Sequence, residues 1–423
     1  MSPTRPLACL FLLVPLVLVG CRVEVEEAGR EEASFPLTRS TTEVMRMRAY
    51  LAKMYEPGAV RESFVDDFGD AIDCVEFRLQ PAIRLQGIDP DRGRMPSELD
   101  DEKPIALLDG ESPASALTTR TCPSDTVSLR HYTLDDLVAY GTLDRFLQRN
   151  HEGQHVRDIG YELHDHAENF YFATNWGGST TLNVWTPPEV EKGNFSLSQV
   201  WVVAGERPEE QTVEAGWISY GGERGSEHPP RLFIYTTSDG YRTGCHNAEC
   251  GRFVKMPSSR IVLDGRFSST SEYKGAQLVF TLRWQLCPTS TCGDWAGWWL
   301  NYEAGGYSEW VGYYPRGLFD AARLADAANQ VSFGGEVYQP ALATSHTTTD
   351  MGSGRFPAEG FGAAAYQRSL RLIAPGNVWR PVTDDRLFSV EKPGCYLHGG
   401  LERADNWGDY FFFGGPGRSE ACK

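Results

Sequence analysis

From about residue 158 onward the chain breaks into short stretches: "FYFATN", "TTLNVWTP", "FSLSQVWVVAG", "TVEAGWISY", "RLFIYTT", "RIVLDGRF", "QLVFTLRWQL" and "WAGWWLNYE". They are rich in β-branched and aromatic residues, and several alternate in polarity. Clusters of Gly, Pro, Asn and Asp separate them at spacings near ten to fifteen residues. Segments so short and so interrupted cannot build long helices, and the pattern predicts an all-β sandwich or barrel. One helix is expected to interrupt it at "LFDAARLADAAN", and a strand with a stapled turn is expected in "DNWGDYFFFGGPGRSEACK".

The upstream third reads differently. "TTEVMRMRAYLAKMY" carries apolar residues at helical spacing, and "TLDDLVAYGTLDRFLQRN" does the same with Thr133 as its N-cap. Between them, "DCVEFRLQPAIRL" reads as extended chain with a proline interruption, and "GIDPDRGRMPSELDDEKP" as loop. A smaller α+β unit over residues 41–150 therefore precedes the β region, 151–423.

The 423 residues give enough chain for two or three domains, and 41% hydrophobic with 23% charged residues describes a folded globular protein. A net charge of −17 opposes nucleic acid or an anionic membrane surface as partner. Residues 1–20 read as an export signal. "LACLFLLVPLVLVG" is too short and too soon followed by charge to span a bilayer. It ends in Leu18-Val19-Gly20-Cys21, which resembles a bacterial lipobox and implies acylation of Cys21 and a cell-envelope location, against the alternative of plain secretion. Residues 21–40 are then an acidic tether.

Ten cysteines are present; without Cys9 and Cys21 an even eight remain. In an exported chain their spacing suggests disulfides Cys245–Cys250, Cys287–Cys292 and Cys395–Cys422, leaving Cys74–Cys122. A zinc site built from the two CxxxxC pairs is the alternative.

"HEGQH", His151–His155, has the lettering of a zinc-protease helix. Such a helix must point both imidazoles at one metal, and Gly153 weakens it where it should be rigid. Asp158 and Tyr161 stand where the extended motif needs Gly and His, although His164, His166 or Glu168 remain available as a third ligand. A loop explains the same letters, and no metal or cofactor is expected. His131, His151, His155, His164 and His166 are five of the nine histidines, gathered around the domain junction. Their charging in acid would weaken that junction. The chain has no GxSxG elbow, Walker loop or GxGxxG after a strand, so catalysis, if the chain performs any, is expected from carboxylates.

"TLNVWTP", "FSLSQVWVVAG", "VEAGW", "TSDGYRTGCHNAEC", "VSFGGEV", "HTTTDMGSGRFPAEGFGAAAY" and "GCYLHGG…WGDYFFFGGPGR…C" resemble, in order, the motifs of the neprosin family of prolyl endopeptidases, which are glutamic peptidases. "GDAIDCVEFRLQPAI", "RMPS" and "TCPSDTVSLRHYTLDDL" resemble that family's activation domain. The resemblance implies a sandwich of two antiparallel sheets with a cleft on one concave face. It implies catalytic glutamates at Glu214 and Glu336, and disulfides Cys245–Cys250 and Cys395–Cys422. It also implies an inhibitory pro-segment reaching to about residue 150 and released in acid, and proline-containing peptides or proteins as substrates; a monomer is expected. Gln199, Tyr235, Ser238, Asp239 and the "MGSG" loop with Gly352 and Ser353 are candidates for oxyanion donors and substrate positioning. Trp217 and Tyr241 are candidates for the flat apolar surface a proline ring needs. Asp350 departs from the glutamine usual before "MGSG", and Cys287–Cys292 looks like an addition. The rival is a non-catalytic β-sandwich binding glycans or proteins.

Overall fold

The computed structural model describes residues 41–56, 58–96, 105–116, 120–148, 164–222, 228–339, 345–382 and 387–422. Cys21 and the apolar stretch before it, the tether, and His151–His155 lie outside them. Among the described residues no helix is long and apolar enough to cross a membrane.

The N-terminal region comprises α1 (Thr41–Met54), β1 (Val60–Val65), β2 (Ala71–Glu76), α2 (Pro81–Gln86), β3 (Glu111–Pro113), β4 (Thr126–Arg130), α3 (Leu134–Ala139) and α4 (Leu143–Gln148). β1, β2 and β4 form a small antiparallel sheet. Met47, Tyr132, Leu137, Leu143 and Phe146 make a separate small core beneath the helices.

Three local expectations needed revision. Pro81 does not interrupt a strand but opens α2, at the first helical position where a missing N–H costs nothing. The expected helix after Thr133 is two helices. Thr133 and Asp136 form a capping box at the first, and Gly141 at φ +87° breaks the chain before the second. "LFDAARLADAAN" is a set of turns, in which the Asp326 carboxylate accepts from the Ala322 amide and from Arg316. Local side-chain bonds there compete with the helix its periodicity suggests.

The remaining strands make the sandwich predicted by the texture. A seven-stranded antiparallel sheet is ordered β10 (Cys245–His246), β9 (Arg231–Thr237), β8 (Gln211–Tyr220), β7 (Phe195–Ala204), β15 (Ala328–Tyr338), β5 (His164–Asn175) and β18 (Leu387–Val390). The second sheet has eleven strands. Its main path is β11 (Val254–Lys255), β14 (Tyr307–Pro315), β13 (Gly297–Ala304), β12 (Gln277–Cys287), β6 (Gly177–Asn183), β16 (Ala365–Ala374), β21 (Gly408–Gly414) and β19 (Leu397–His398). β17 (Val378–Pro381), β20 (Glu402–Ala404) and β3 pair off this path. The inner faces enclose one large core that includes Val200, Val202, Val213, Trp217, Trp284, Trp298 and Phe413. All four disulfides expected from spacing are present: Cys74–Cys122, Cys245–Cys250, Cys287–Cys292 and Cys395–Cys422.

The N-terminal region is bound into this body. β3 runs parallel to β12 as a strand of the larger sheet, and Ala114 and Ala116 enter the main core. Glu111 lies buried against Arg368, whose Nε is 2.8 Å from its Oε1, and accepts from the Tyr366 hydroxyl at 2.6 Å.

Candidate active site

The outer face of the seven-stranded sheet is as buried as its inner one. Phe195, Leu197, Trp201, Ile218, Tyr220, Phe233, Tyr235 and Tyr338 form a second apolar cluster there. Strand alternation accounts for the membership: odd positions of β7 face outward while Ser196, Ser198 and Val200 face the core.

Register then gathers the polar groups. Across β7, Gln199 stands opposite Gly334 of β15 and Gly216 of β8. A Cβ at Gly216 would meet the Gln199 Cβ at 2.7 Å, and one at Gly334 the Glu168 Cβ at 2.6 Å. Glycine at these two positions therefore keeps a Cβ off Gln199 on the β8 side and off Glu168 of β5 on the β15 side. On one flank of Gln199, Glu336 pairs with Leu197; on the other Glu214 pairs with Trp201. Glu214, Glu336 and Gln199 line one small pocket, walled by Phe195, Leu197, Ile218, Tyr220, Phe233, Tyr235 and His246. Both ends of the Gln199 amide are buried without a hydrogen bond of good geometry, although the amide lies close enough to Glu214 to lower its pKa, so it is available to a group that enters the pocket.

The Glu214 carboxylate accepts from the hydroxyls of Thr212 and Tyr241, each at 2.7 Å. Burial pushes its pKa up to about 7, with the nearby Glu336 charge adding, against the lowering effect of Thr212, Tyr241 and Gln199. Tyr241 reaches it from the turn after β9, in left-handed backbone at φ +60°. Its amide donates to Thr237, and its ring stacks on Tyr235 at 6.1 Å. Glu336 is bonded on its other side to His164 Nδ1. Behind the pocket Gln367 of β16 donates to the carbonyls of Gln199 and Gly334, at 3.0 and 3.1 Å, fixing β7 and β15 at their separation.

Other residues singled out in the sequence lie elsewhere. Trp217 is fully buried in the inter-sheet core, its indole N–H donating to the Asn183 carbonyl, so it offers no surface to a substrate. Phe195, Phe233 and Tyr235 occupy that place in the pocket wall. Asp239 holds its turn, accepting from the Thr243 amide and hydroxyl, and the Ser238 carbonyl accepts from Gln211. Asp350 accepts from the Glu189 amide, and burial lifts it to about 6. Gly352, at φ +65° with Ala365 where a Cβ would go, and Ser353, accepting from the Arg355 amide, shape a turn behind β15. That turn backs the strand carrying Glu336, since a Cβ on Gly335 would meet Met351 and Phe413.

The histidines sit against carboxylates. His131 lies 2.7 Å from Asp73, His164 bonds Glu336, and His166 pairs in register with Glu336 beside Glu168. The residue that sequence reading missed is His164 as a partner of Glu336. Its clue was the alternation in "HDHAENF", which puts His164, His166 and Glu168 on one face.

Two buried carboxyl groups thus lie on one face of the seven-stranded sheet with a buried amide between them. The neprosin family profile matches residues 192–416, more than half of the chain, and the protein belongs to the neprosin family of glutamic peptidases. Among solved structures it is similar to scytalido-glutamic peptidase with a peptide-based transition-state analogue, at TM-score 0.31 and 7% identity, covering 60% of this chain and 97% of that one. It is also similar to SCP-B, a member of the eqolisin family in complex with the tripeptide Ala-Ile-His, at TM-score 0.28 and 8% identity, covering 59% and 96%.

Proposed function

We propose that this protein is an acid-active endopeptidase that cleaves proline-containing chains by water held between Glu214 and Glu336. The observation that carries the reading is the shared pocket, with Gln199 between the two glutamates. Glu214, lifted to about 7, is protonated in acid and serves as the acid. Glu336 is then the ionised member and takes a proton from the water as its oxygen adds to the peptide carbonyl carbon. The Gln199 amide donates to the oxygen that becomes negative. The C–N bond breaks as the nitrogen takes a proton from the acid, giving a free carboxyl and a free amine.

Proline preference rests on family membership and on the apolar wall of Phe195, Phe233 and Tyr235. Synthesis as a zymogen, with residues up to about 150 as pro-segment, follows the family pattern. Export with a lipid on Cys21 rests on the lipobox-like residues, and radiolabelled palmitate that enters the wild type but not Cys21→Ala would support it.

The test is cleavage of a quenched proline peptide in acid by a soluble form beginning after Cys21, with and without chelator. Chelator-resistant cleavage, falling by about a thousandfold or more in Glu214→Gln and in Glu336→Gln, supports the reading. Cleavage that survives both substitutions sinks it. No cleavage at any pH, even after removal of residues 22–150, makes the protein a binding module.

A further inference from the structure

His164 opens β5 and stands opposite Tyr338, one outward-facing position from the pairing of His166 with Glu336. Its side chain is about a quarter exposed, whereas that of Glu336 is nearly covered. Three rings hold the imidazole. Tyr338 lies at 4.9 Å, Phe195 meets it edge-on at 6.1 Å, and His166 stacks alongside at 6.5 Å. A ring so clamped keeps its Nδ1 directed at the Glu336 carboxylate.

The charges around the pair make this contact consequential. From β5 itself come His166 and Glu168, from β15 Tyr338, from β8 Glu214 and Tyr220, from β9 Tyr235, from the turn after β9 Tyr241, and from β10 His246. Arg145 of α4 acts on Tyr338, and Arg207, in the turn between β7 and β8, acts on Glu168. Three carboxyl groups thus crowd one strip of sheet, and like charges so close cannot all ionise. Something must decide which one does. Glu214 is bonded to two hydroxyls, whereas Glu336 is bonded to an imidazole, which becomes a cation in acid.

We propose that His164 is the positioning residue of this site, its imidazolium holding Glu336 in place and ionised so that Glu336 acts as the base. The proposal rests on the two-glutamate reading and adds to it a cause for the division of labour. It also explains acid activity differently from a simple carboxyl pair: the base stays charged at low pH because its partner is charged too.

The pH profile of the processed enzyme on a proline peptide tests this, with His164→Ala and His164→Asn. Asparagine keeps a donor near the Nδ1 position but carries no charge. In both variants the acid limb of kcat/KM should move up by about one pH unit, the effect of removing an adjacent opposite charge. kcat should fall by about ten- to a hundredfold in His164→Ala with KM nearly unchanged, and asparagine should restore part of the rate but not the limb. A uniform loss at every pH, with the acid limb unmoved in both variants, would mean that His164 only packs. A readout independent of catalysis is the titration of His164 by NMR in Glu336→Gln. Loss of the carboxylate should lower the histidine midpoint by about one unit, and an unchanged midpoint overturns the proposal. Wild-type activity in Glu336→Gln would instead sink the two-glutamate reading, leaving the titration to report on the contact alone.

Discussion

Where the N-terminal region docks, Asp70 and Asp264 are buried among Arg130, Arg231 and Arg266. Arg231 lies 2.8 Å and Arg130 3.2 Å from Asp70, Arg266 stands off at 4.0 Å, and Arg130 also pairs with Asp264. On the cleft, Glu214 is as deeply buried, but its neighbours are hydroxyls, an amide and another carboxyl group. Burial raises a carboxyl group in both places. At Asp70 the attraction of Arg231, Arg130 and Arg266 overcomes it and the pKa falls below 3.8. At Glu214 burial outweighs the hydrogen bonds from Thr212 and Tyr241, the Glu336 charge adds to it, and the pKa climbs to about 7. The first arrangement keeps its carboxylate charged between the two regions, whereas the second keeps a proton on a buried carboxyl group up to near neutral pH.

Breaking each arrangement should have opposite consequences. Asp70→Asn strips a buried counter-charge from Arg231 and Arg130, and should cost about 3–5 kcal/mol of stability. Thermal unfolding and limited proteolysis of the N-terminal region would register it, and a loss below about 1 kcal/mol would show that the cluster does not hold the docking face. Asp70 is depressed when folded, so its contribution is present above its ordinary value of 3.8 and fades as pH falls through the lower folded value. Mild acid therefore leaves this latch closed. In an inactive Glu336→Gln protein, hydrogen exchange should show the N-terminal region still docked at pH 5.

Glu214→Gln should do the reverse. A carboxyl raised from 4.5 to about 7 contributes stability that is complete below 4.5 and lost as pH rises through 7. The wild type should lose about 3 kcal/mol between pH 4.5 and pH 8 through this group, a loss the uncharged glutamine does not suffer. Denaturant midpoints across that range decide the matter; parallel curves for the two proteins would mean that Glu214 ionises freely.

The same contrast marks what could be read from the letters. Strand texture gave the sandwich because alternation and turn clusters are local, and the cysteine spacings gave the disulfides for the same reason. The glutamates came from motif resemblance, and β8 shows why alternation alone would not have chosen between Glu214 and Trp217. Every residue of "QTVEAGWISY" is buried, so neither face announces itself as the cleft. Gln199 between its two glycines, and His164 on Glu336, depend on the register of strands distant in sequence. Glu111 lay in a stretch with no strand signature, yet it pairs with Gln277 of β12 and is buried against the Arg368 guanidinium. Local periodicity misled at "LFDAARLADAAN", where a single aspartate redirects the backbone.

The finest probe of the cleft is Tyr241, whose hydroxyl hydrogen-bonds the ionised form of Glu214 more strongly than the protonated form. Tyr241→Phe removes that donor without moving the ring from Tyr235, so the Glu214 pKa should rise further. In the proposed assignment Glu214 is the protonated partner, so the alkaline limb of kcat/KM should shift upward, by less than about one unit given the modest worth of one hydrogen bond. The acid limb, which belongs to Glu336, should stay where it is. A downward shift of the alkaline limb, or movement of the acid limb instead, would reverse the roles assigned to the two glutamates while leaving the pair intact. The smallest change in the set therefore separates acid from base most directly, because it alters one hydrogen bond to one carboxyl group and nothing in the framework that holds them.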